Sequence, residues 1–336
     1  MEKVNAVAEK IVSSLKLSRG NIFSAMLSDG INDNLLNVLK NIAKERGVNH
    51  IYTNSASFGQ PINYLFEKEF SANKAIRLFG GGLPWGMEYE YATNFNADII
   101  NGLAYINHLF CNKRNWLSIE YPGRLKSEYS GIEINKLENK MYDAILYDQN
   151  KLIEKQKVLR SILWRGKFVE IKGDEVDLNF SINGKRAVSC SGQYNLPDGE
   201  VFIAPVEGSM NGWIYFKDLD WGLLKDVKFI FNNGEVIEYY SKNKIMQEWL
   251  KRKLFIDDGS NKACEFGIGT NELVNFNVGD HLWDEKKYGT FHIALGGSYG
   301  SNIVSIRHWD MVKDNNSNYT IFVDGEKILE NGNFLI

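Results

Sequence analysis

Glu200, Glu265, His292, Tyr299, His308 and Asp310 all fall in the C-terminal half of the chain, each in or beside a short apolar segment punctuated by glycine. Carboxylates and imidazoles brought together from separate strand ends can hold a divalent cation. A donor set of oxygen and nitrogen suits zinc, cobalt or manganese. The chemistry expected of such a site is metal-assisted hydrolysis.

The tripeptide His308-Trp309-Asp310 is the sharpest of these signals. In an extended segment residues two apart point to the same side, so His308 and Asp310 can reach one cation while Trp309 packs behind them. The competing account is a salt-bridged pair on a solvent face, and the apolar flanks Ile303-Val-Ser-Ile306 and Met311-Val312 argue against it. In Gly289-Thr-Phe-His-Ile-Ala-Leu-Gly296, alternation places Thr290, His292 and Ala294 on one face, which looks either into a core or into a site. Glu200 stands between the turn Pro197-Asp198-Gly199 and an apolar strand, and Glu265 opens Phe-Gly-Ile-Gly. A buried carboxylate is costly unless paired or metal-bound. Either glutamate alone reads as a turn-tip surface residue; with two histidines and Asp310, coordination is the better reading. His50, His108 and His281 have no carboxylate segment beside them and are read as structural.

Four segments resemble, in their order, the aminopeptidase T (thermophilic, leucyl-type) family of dimetal exopeptidases. They are Asn195-Leu-Pro-Asp-Gly-Glu-Val-Phe-Ile-Ala-Pro205, Glu265-Phe-Gly-Ile-Gly-Thr-Asn271, Gly289-Thr-Phe-His-Ile-Ala-Leu-Gly296 with Tyr299, and His308-Trp-Asp-Met311. The resemblance spans roughly residues 165–336. It implies Glu200, Glu265, His292, His308 and Asp310 as ligands of two divalent ions (zinc, cobalt or manganese), with Glu265 a bridge between them and Tyr299 the catalytic phenol. A further acidic ligand is expected just before the Gly-Thr-x-His strand, where Glu285 is the nearest candidate and Asp284 stands beside it. Glu207, after Ala204-Pro205, could orient water or a substrate amine. The implied activity is removal of the N-terminal residue from short peptides by a homodimer whose sites face an enclosed cavity. The chain is shorter than typical members, with a loosely similar N-terminal half and a compressed Tyr299–His308 segment. His292, His308 and Asp310 by themselves form a two-histidine, one-carboxylate set, which would suit Fe(II). The ring-cleaving dihydroxypyridine dioxygenases resemble this fold, and they are the alternative; a non-catalytic scaffold is the third.

These residues have to be carried on strands. The first 150 residues alternate helical periods (4–17, and 31–46 ending at Gly47) with strands such as Val48–Tyr52, the pattern of an α/β layer domain. Residues 133–161 read as one long amphipathic stretch leading to a second domain, 151–336. That domain is α+β: mostly antiparallel sheet, with turns at Asn183-Gly184, Asn233-Gly234 and Asp324-Gly325 and a single helix over 243–255. Phe79-Gly-Gly-Gly-Leu-Pro-Trp85 lacks the Lys-Ser/Thr of a phosphate loop and reads as a loop or lid. Trp85, Tyr89 and Tyr91 read as packing or a dimer contact.

Composition narrows the partners. A net charge of -3 over 336 residues offers no basic footprint for nucleic acid or an anionic membrane. Cys111, Cys190 and Cys264 lack CxxC spacing and read as reduced, buried thiols of a cytoplasmic protein. The N-terminus has no apolar signal region, and no apolar run reaches membrane-spanning length.

Overall fold

A computed structural model describes residues 2–27, 33–48, 50–55, 74–79, 115–220, 222–298, 300–305 and 307–336. His108, Cys111, Tyr299 and residues 80–91, with Trp85, Tyr89 and Tyr91 among them, lie outside the described residues. In chain order the elements are α1 (Glu2–Ser14), β1 (Ile22–Leu27), α2 (Asp33–Glu45), β2 (His50–Ser55), β3 (Lys74–Phe79), β4 (Asn115–Glu120), α3 (Arg124–Ser130) and α4 (Ile134–Ile145). There follow α5 (Gln149–Arg165), β5 (Phe168–Gly173), β6 (Val176–Ser181), β7 (Val188–Cys190), β8 (Asn195–Leu196), β9 (Glu200–Ile203), β10 (Asn211–Leu219), β11 (Leu224–Asn232) and β12 (Glu235–Ser241). The last are α6 (Lys244–Leu254), β13 (Ala263–Gly269), α7 (His281–Asp284), β14 (Phe291–Gly296), β15 (His308–Lys313), β16 (Tyr319–Val323), β17 (Glu326–Glu330) and β18 (Asn333–Phe334).

The fold is α/β in one compact unit and antiparallel α+β in the other. In the first unit a parallel sheet runs β2-β1-β3-β4-β8. Helix α1 buries Val4, Val7, Ala8, Ile11 and Val12, a stripe at helical spacing, in a core shared with Leu35, Leu36 and Leu39 of α2 and Phe23 and Ala25 of β1. Gly47 ends the α2 region at φ 78°, a left-handed conformation that glycine adopts without the Cβ clash other residues meet. The last strand, β8, belongs to the segment Ser191–Asp198, far along the chain. The stretch 133–161 is two helices, not one. Helix α4 ends at Ile145 with the Leu146 N–H still bonded back to Tyr142, and α5 starts at Gln149.

The second unit contains two antiparallel sheets, β12-β11-β10-β6-β5-β16-β17-β18 and β15-β14-β13-β9-β7. Alternation along the strands explains how they face each other. Ile171, Leu178, Phe180, Ile214 and Phe229 of the larger sheet share one core with Val201, Phe266, Ile268, Phe291, Ile293, Leu295 and Trp309 of the smaller. Phe180 meets Phe266 edge-on at 5.2 Å, and Phe229 meets Trp309 at 5.9 Å. Burying each such side chain contributes about 1.5–3 kcal/mol. The hairpins at Asn233-Gly234 (φ 50° and 79°) and Asp324-Gly325 (φ 51° and 84°) have the double positive φ of a tight primed turn. The Asn183-Gly184 turn is different: it joins strands of different sheets, carrying the chain from β6 to β7, while the hairpin partner of β6 is β5.

Candidate metal centre

The site is the other face of the five-stranded sheet, and register builds it. Glu200 opens β9 opposite Gly269, Glu265 on β13 lies opposite Ala294, His292 on β14 lies opposite Gly267, and Asp310 on β15 lies opposite Ala294. Directly opposed residues share a face, so Glu200, Glu265, His292 and Asp310 project to one side and alternate with glycine and alanine. The small residues make the room. A Cβ on Gly267 would stand 2.2 Å from the His292 ring, and one on Gly199, at φ 143°, would stand 2.5 Å from Asn271 Cβ. The Glu-Phe-Gly-Ile-Gly segment thus supplies a carboxylate and the space for its neighbour's imidazole.

The side chains converge closely. His292 Nε2 lies 3.4 Å from Glu200 Oε2, 3.6 Å from Glu265 Oε1 and 3.9 Å from Asp310 Oδ1. His308 Nε2 is 3.2 Å from Asp310 Oδ2, and its Nδ1 is 2.8 Å from the Gly297 carbonyl. A carbonyl only accepts, so Nδ1 carries hydrogen and Nε2 is the nitrogen available to a cation. Trp309 points the opposite way, into the core, where Asp220 accepts its indole N–H at 3.1 Å. Ser298 donates a hydrogen bond to Glu265 Oε2. Two triads bring their ligand atoms within 4.8 Å of one another: Glu265, His292 and Asp310, and Glu200, Glu285 and His292.

Glu285, just past α7, therefore joins the cluster, whereas Asp284 does not. The Asp284 carboxylate accepts the backbone N–H groups of Val278 and Gly279 at 2.8 and 3.0 Å; burial still pushes its pKa up to about 8. Glu207 is also used elsewhere, accepting the Asn302 N–H at 2.7 Å and so tethering the 300–305 loop. Cys264 is buried beside His308 with its thiol pushed up to about 11 by burial, too high to supply a thiolate at neutral pH. His281 sits in α7 with its Nδ1 3.9 Å from Asp280.

One residue of the cluster is not foreseen from the sequence. The Lys286 ammonium is fully buried between two acids, 2.6 Å from Glu200 Oε1 and 2.6 Å from Glu285 Oε1. Within Asp284-Glu285-Lys286-Lys287 a lysine reads as solvated surface, and no periodicity marks it otherwise.

The electrostatics suit a cation. Burial opposes charge on His292, yet the carboxylates of Glu265, Glu200, Asp310 and Glu285 outweigh it and raise its pKa to about 9. Desolvation likewise opposes charge on His308, and Asp310 more than compensates, holding the imidazole well above its usual range. Burial raises Asp310, but the facing imidazoles of His308 and His292 bring it far below the usual carboxylate range. Glu285 is pushed up by burial, against the pull of Lys286. Glu200 Oε2, Asp310 Oδ1 and both ring nitrogens of His292 are buried without a hydrogen-bond partner. Each such atom costs about 1–3 kcal/mol, and three of them, His292 Nε2 with Glu200 Oε2 at 3.4 Å and Asp310 Oδ1 at 3.9 Å, fit a site made for an ion. The all-oxygen-and-nitrogen donor set fits zinc, cobalt or manganese.

The site has the donors to hold a divalent cation, and the comparisons with known proteins supply the class of chemistry. The profile of the thermophilic metalloprotease (M29) family matches residues 104–334. The chain belongs to that family, the aminopeptidase T family that its sequence resembles, and is a metallo-aminopeptidase. No curated protein matches it. Among solved structures it is similar to wild-type AmpT from Thermus thermophilus, with TM-score 0.76 and 18% identity over 100% of this chain and 99% of that one. It is also similar to a 2,5-dihydroxypyridine dioxygenase from Pseudomonas putida KT2440, with TM-score 0.64 and 11% identity over 99% of this chain and 96% of that one. At these identities the two likenesses speak for the shared fold.

Proposed function

We propose that the cluster holds two divalent ions, zinc, cobalt or manganese, and that the enzyme removes the N-terminal residue of short peptides. The observation that carries the reading is the convergence of Glu200, Glu265, His292 and Asp310 on one sheet face, joined by Glu285 from the end of α7, around buried atoms that lack hydrogen bonds. Glu200, Glu285 and His292 are the ligands of one half, and Glu265, His308 and Asp310 those of the other, with Glu265 facing both. When bound, the ions supply Lewis acidity that polarises the scissile carbonyl and brings the pKa of a water toward neutrality.

The chain's own residues do the rest. Glu265 directs Oε1 into the site while Ser298 steadies Oε2, so its charge is fixed where it would help hold the metal and activate the attacking water. The Gly297 carbonyl holds the His308 ring in one tautomer. Tyr299 donates a hydrogen bond to the oxyanion that forms at the carbonyl, a contact worth more in the transition state than in the ground state. The free amine of the substrate would be held by a metal ion or an acidic side chain, which makes the cleavage exo. A cytoplasmic homodimer with its sites facing an enclosed cavity, and domains over 1–150 and 151–336, complete the proposal. Among the described residues no helix is long and apolar enough to cross a membrane.

The test is activity on a dipeptide or an aminoacyl anilide. Cleavage should disappear with chelator, return with cobalt, zinc or manganese, proceed without oxygen, and stop when the substrate amine is acetylated. Tyr299→Phe should leave metal content intact and lower kcat and kcat/KM together. The Fe(II) alternative wins if the protein holds one iron and consumes oxygen on an aromatic diol while cleaving no peptide. The retention of Glu200, Glu265 and Glu285 in one cluster favours hydrolysis.

A further inference from the structure

The two halves of the cluster differ in the positive charge that faces them. Glu265 and Asp310 face the imidazoles of His292 and His308, side chains that can themselves serve as ligands. Glu200 also faces the His292 ring, at 3.4 Å, but what sets this half apart is the Lys286 side chain, whose Nζ lies 2.6 Å from one oxygen each of Glu200 and Glu285. It is fully buried, and the backbone on either side of it is fixed, its N–H bonded to the Trp283 carbonyl and its carbonyl accepting from Asn271. An ammonium carries its proton and cannot coordinate. It holds Glu200 Oε1 and Glu285 Oε1 and so stands beside any cation taken up by the same two carboxylates, repelling that cation at short range in a medium of low dielectric.

We infer that Lys286 is a positioning residue that makes the two metal positions unequal, a tight one at Glu265, His308 and Asp310 and a weaker, exchangeable one at Glu200 and Glu285. The inference rests on the two-ion reading above. Lys286 clamps the two acids in place and sets the affinity of the second ion, so that its occupancy follows the free metal concentration while the first ion stays bound.

Calorimetric titration of the metal-free enzyme with Mn²⁺ tests this without recourse to activity. The wild-type protein should take up two ions in steps at least tenfold apart in affinity. Lys286→Met should tighten the weaker step by tenfold or more and leave the tighter one unchanged. Glu285→Gln should abolish the weaker step alone. A lysine that served only folding would shift the melting temperature without this step-specific change. Two equal steps in the wild-type protein overturn the inference, as does a folded Lys286→Met enzyme with an unchanged weaker step. One ion in the wild-type protein and two in Lys286→Met would support the role of Lys286 while overturning the two-ion reading. One ion in both would overturn the two together. If Lys286→Met does not fold, the wild-type steps and Glu285→Gln decide.

Discussion

The two faces of the smaller antiparallel sheet are built from the same strands and are both largely buried, yet for opposite reasons. On one face Phe266, Phe291, Ile293 and Trp309 fill a core shared with the larger sheet, and water is excluded because nothing there needs it. On the other, Glu265, His292 and Asp310 are out of water in spite of their polarity, leaving buried atoms with no hydrogen bond. One face stores stability and the other stores unsatisfied binding capacity. A substitution should therefore read out differently according to the parity of its position along a strand.

The largest expected effect is on the polar face. Glu265→Gln should lower kcat by roughly 10²–10⁴-fold, a far larger effect than any it has on folding. A folded variant with wild-type turnover and metal content would remove Glu265 from the chemistry. One residue further along, Phe266→Ala should show the reverse. Denaturant unfolding should report a loss of about 3–5 kcal/mol, with kcat of the folded fraction within a few-fold of wild type. If the two neighbours gave the same signature, the division between faces would be wrong.

Gly267→Ala sharpens the comparison, because its Cβ would press on the His292 ring rather than on the core. Overpacking costs about 1–3 kcal/mol, and displacing a ligand ring should weaken metal binding by roughly 10–100-fold. Equilibrium dialysis against zinc would detect it; unchanged affinity would mean that the ring has somewhere else to go.

The smallest effect expected is a pH dependence confined to the metal-free protein. The folded-state pKa of His292, about 9, lies above its ordinary 6.5, so the ion pairs it makes stabilise the fold fully below pH 6.5 and are lost as the pH climbs through 9. Melting temperature in chelator should fall over that window. With metal bound the imidazole has already given up its proton and the slope should vanish. A rising melting temperature in chelator between those values would contradict the charge assignment at His292.

Much of the site could be read directly along the chain because strand alternation is a local property. His308 and Asp310 face the same way, with Trp309 on the core side, for no reason beyond the two-residue period of an extended backbone. The hairpins at Asn233-Gly234 and Asp324-Gly325 were equally legible, since positive φ is a demand on the residue itself. Asn183-Gly184 carries the same local signal and yet joins different sheets, because the turn pair specifies a bend and says nothing of the partner strand. The stretch 133–161 kept an amphipathic pattern through the break at 146–148, so periodicity alone could not divide it.

Residue type and parity are thus what the chain itself determines: which side chains can coordinate, and which of them share a side of their own strand. Register and burial were decided by the tertiary structure. Only pairing between strands sets Gly267 against His292 and Ala294 against Asp310, opening the space that the polar face needs. Only folding brings Lys286 to Glu200, 86 residues away, and turns a lysine from a charged run into a buried counter-ion. The physical reason is range. Alternation is dictated by each residue's own backbone geometry, whereas the worth of a charge depends on which distant groups, or how much water, surround it.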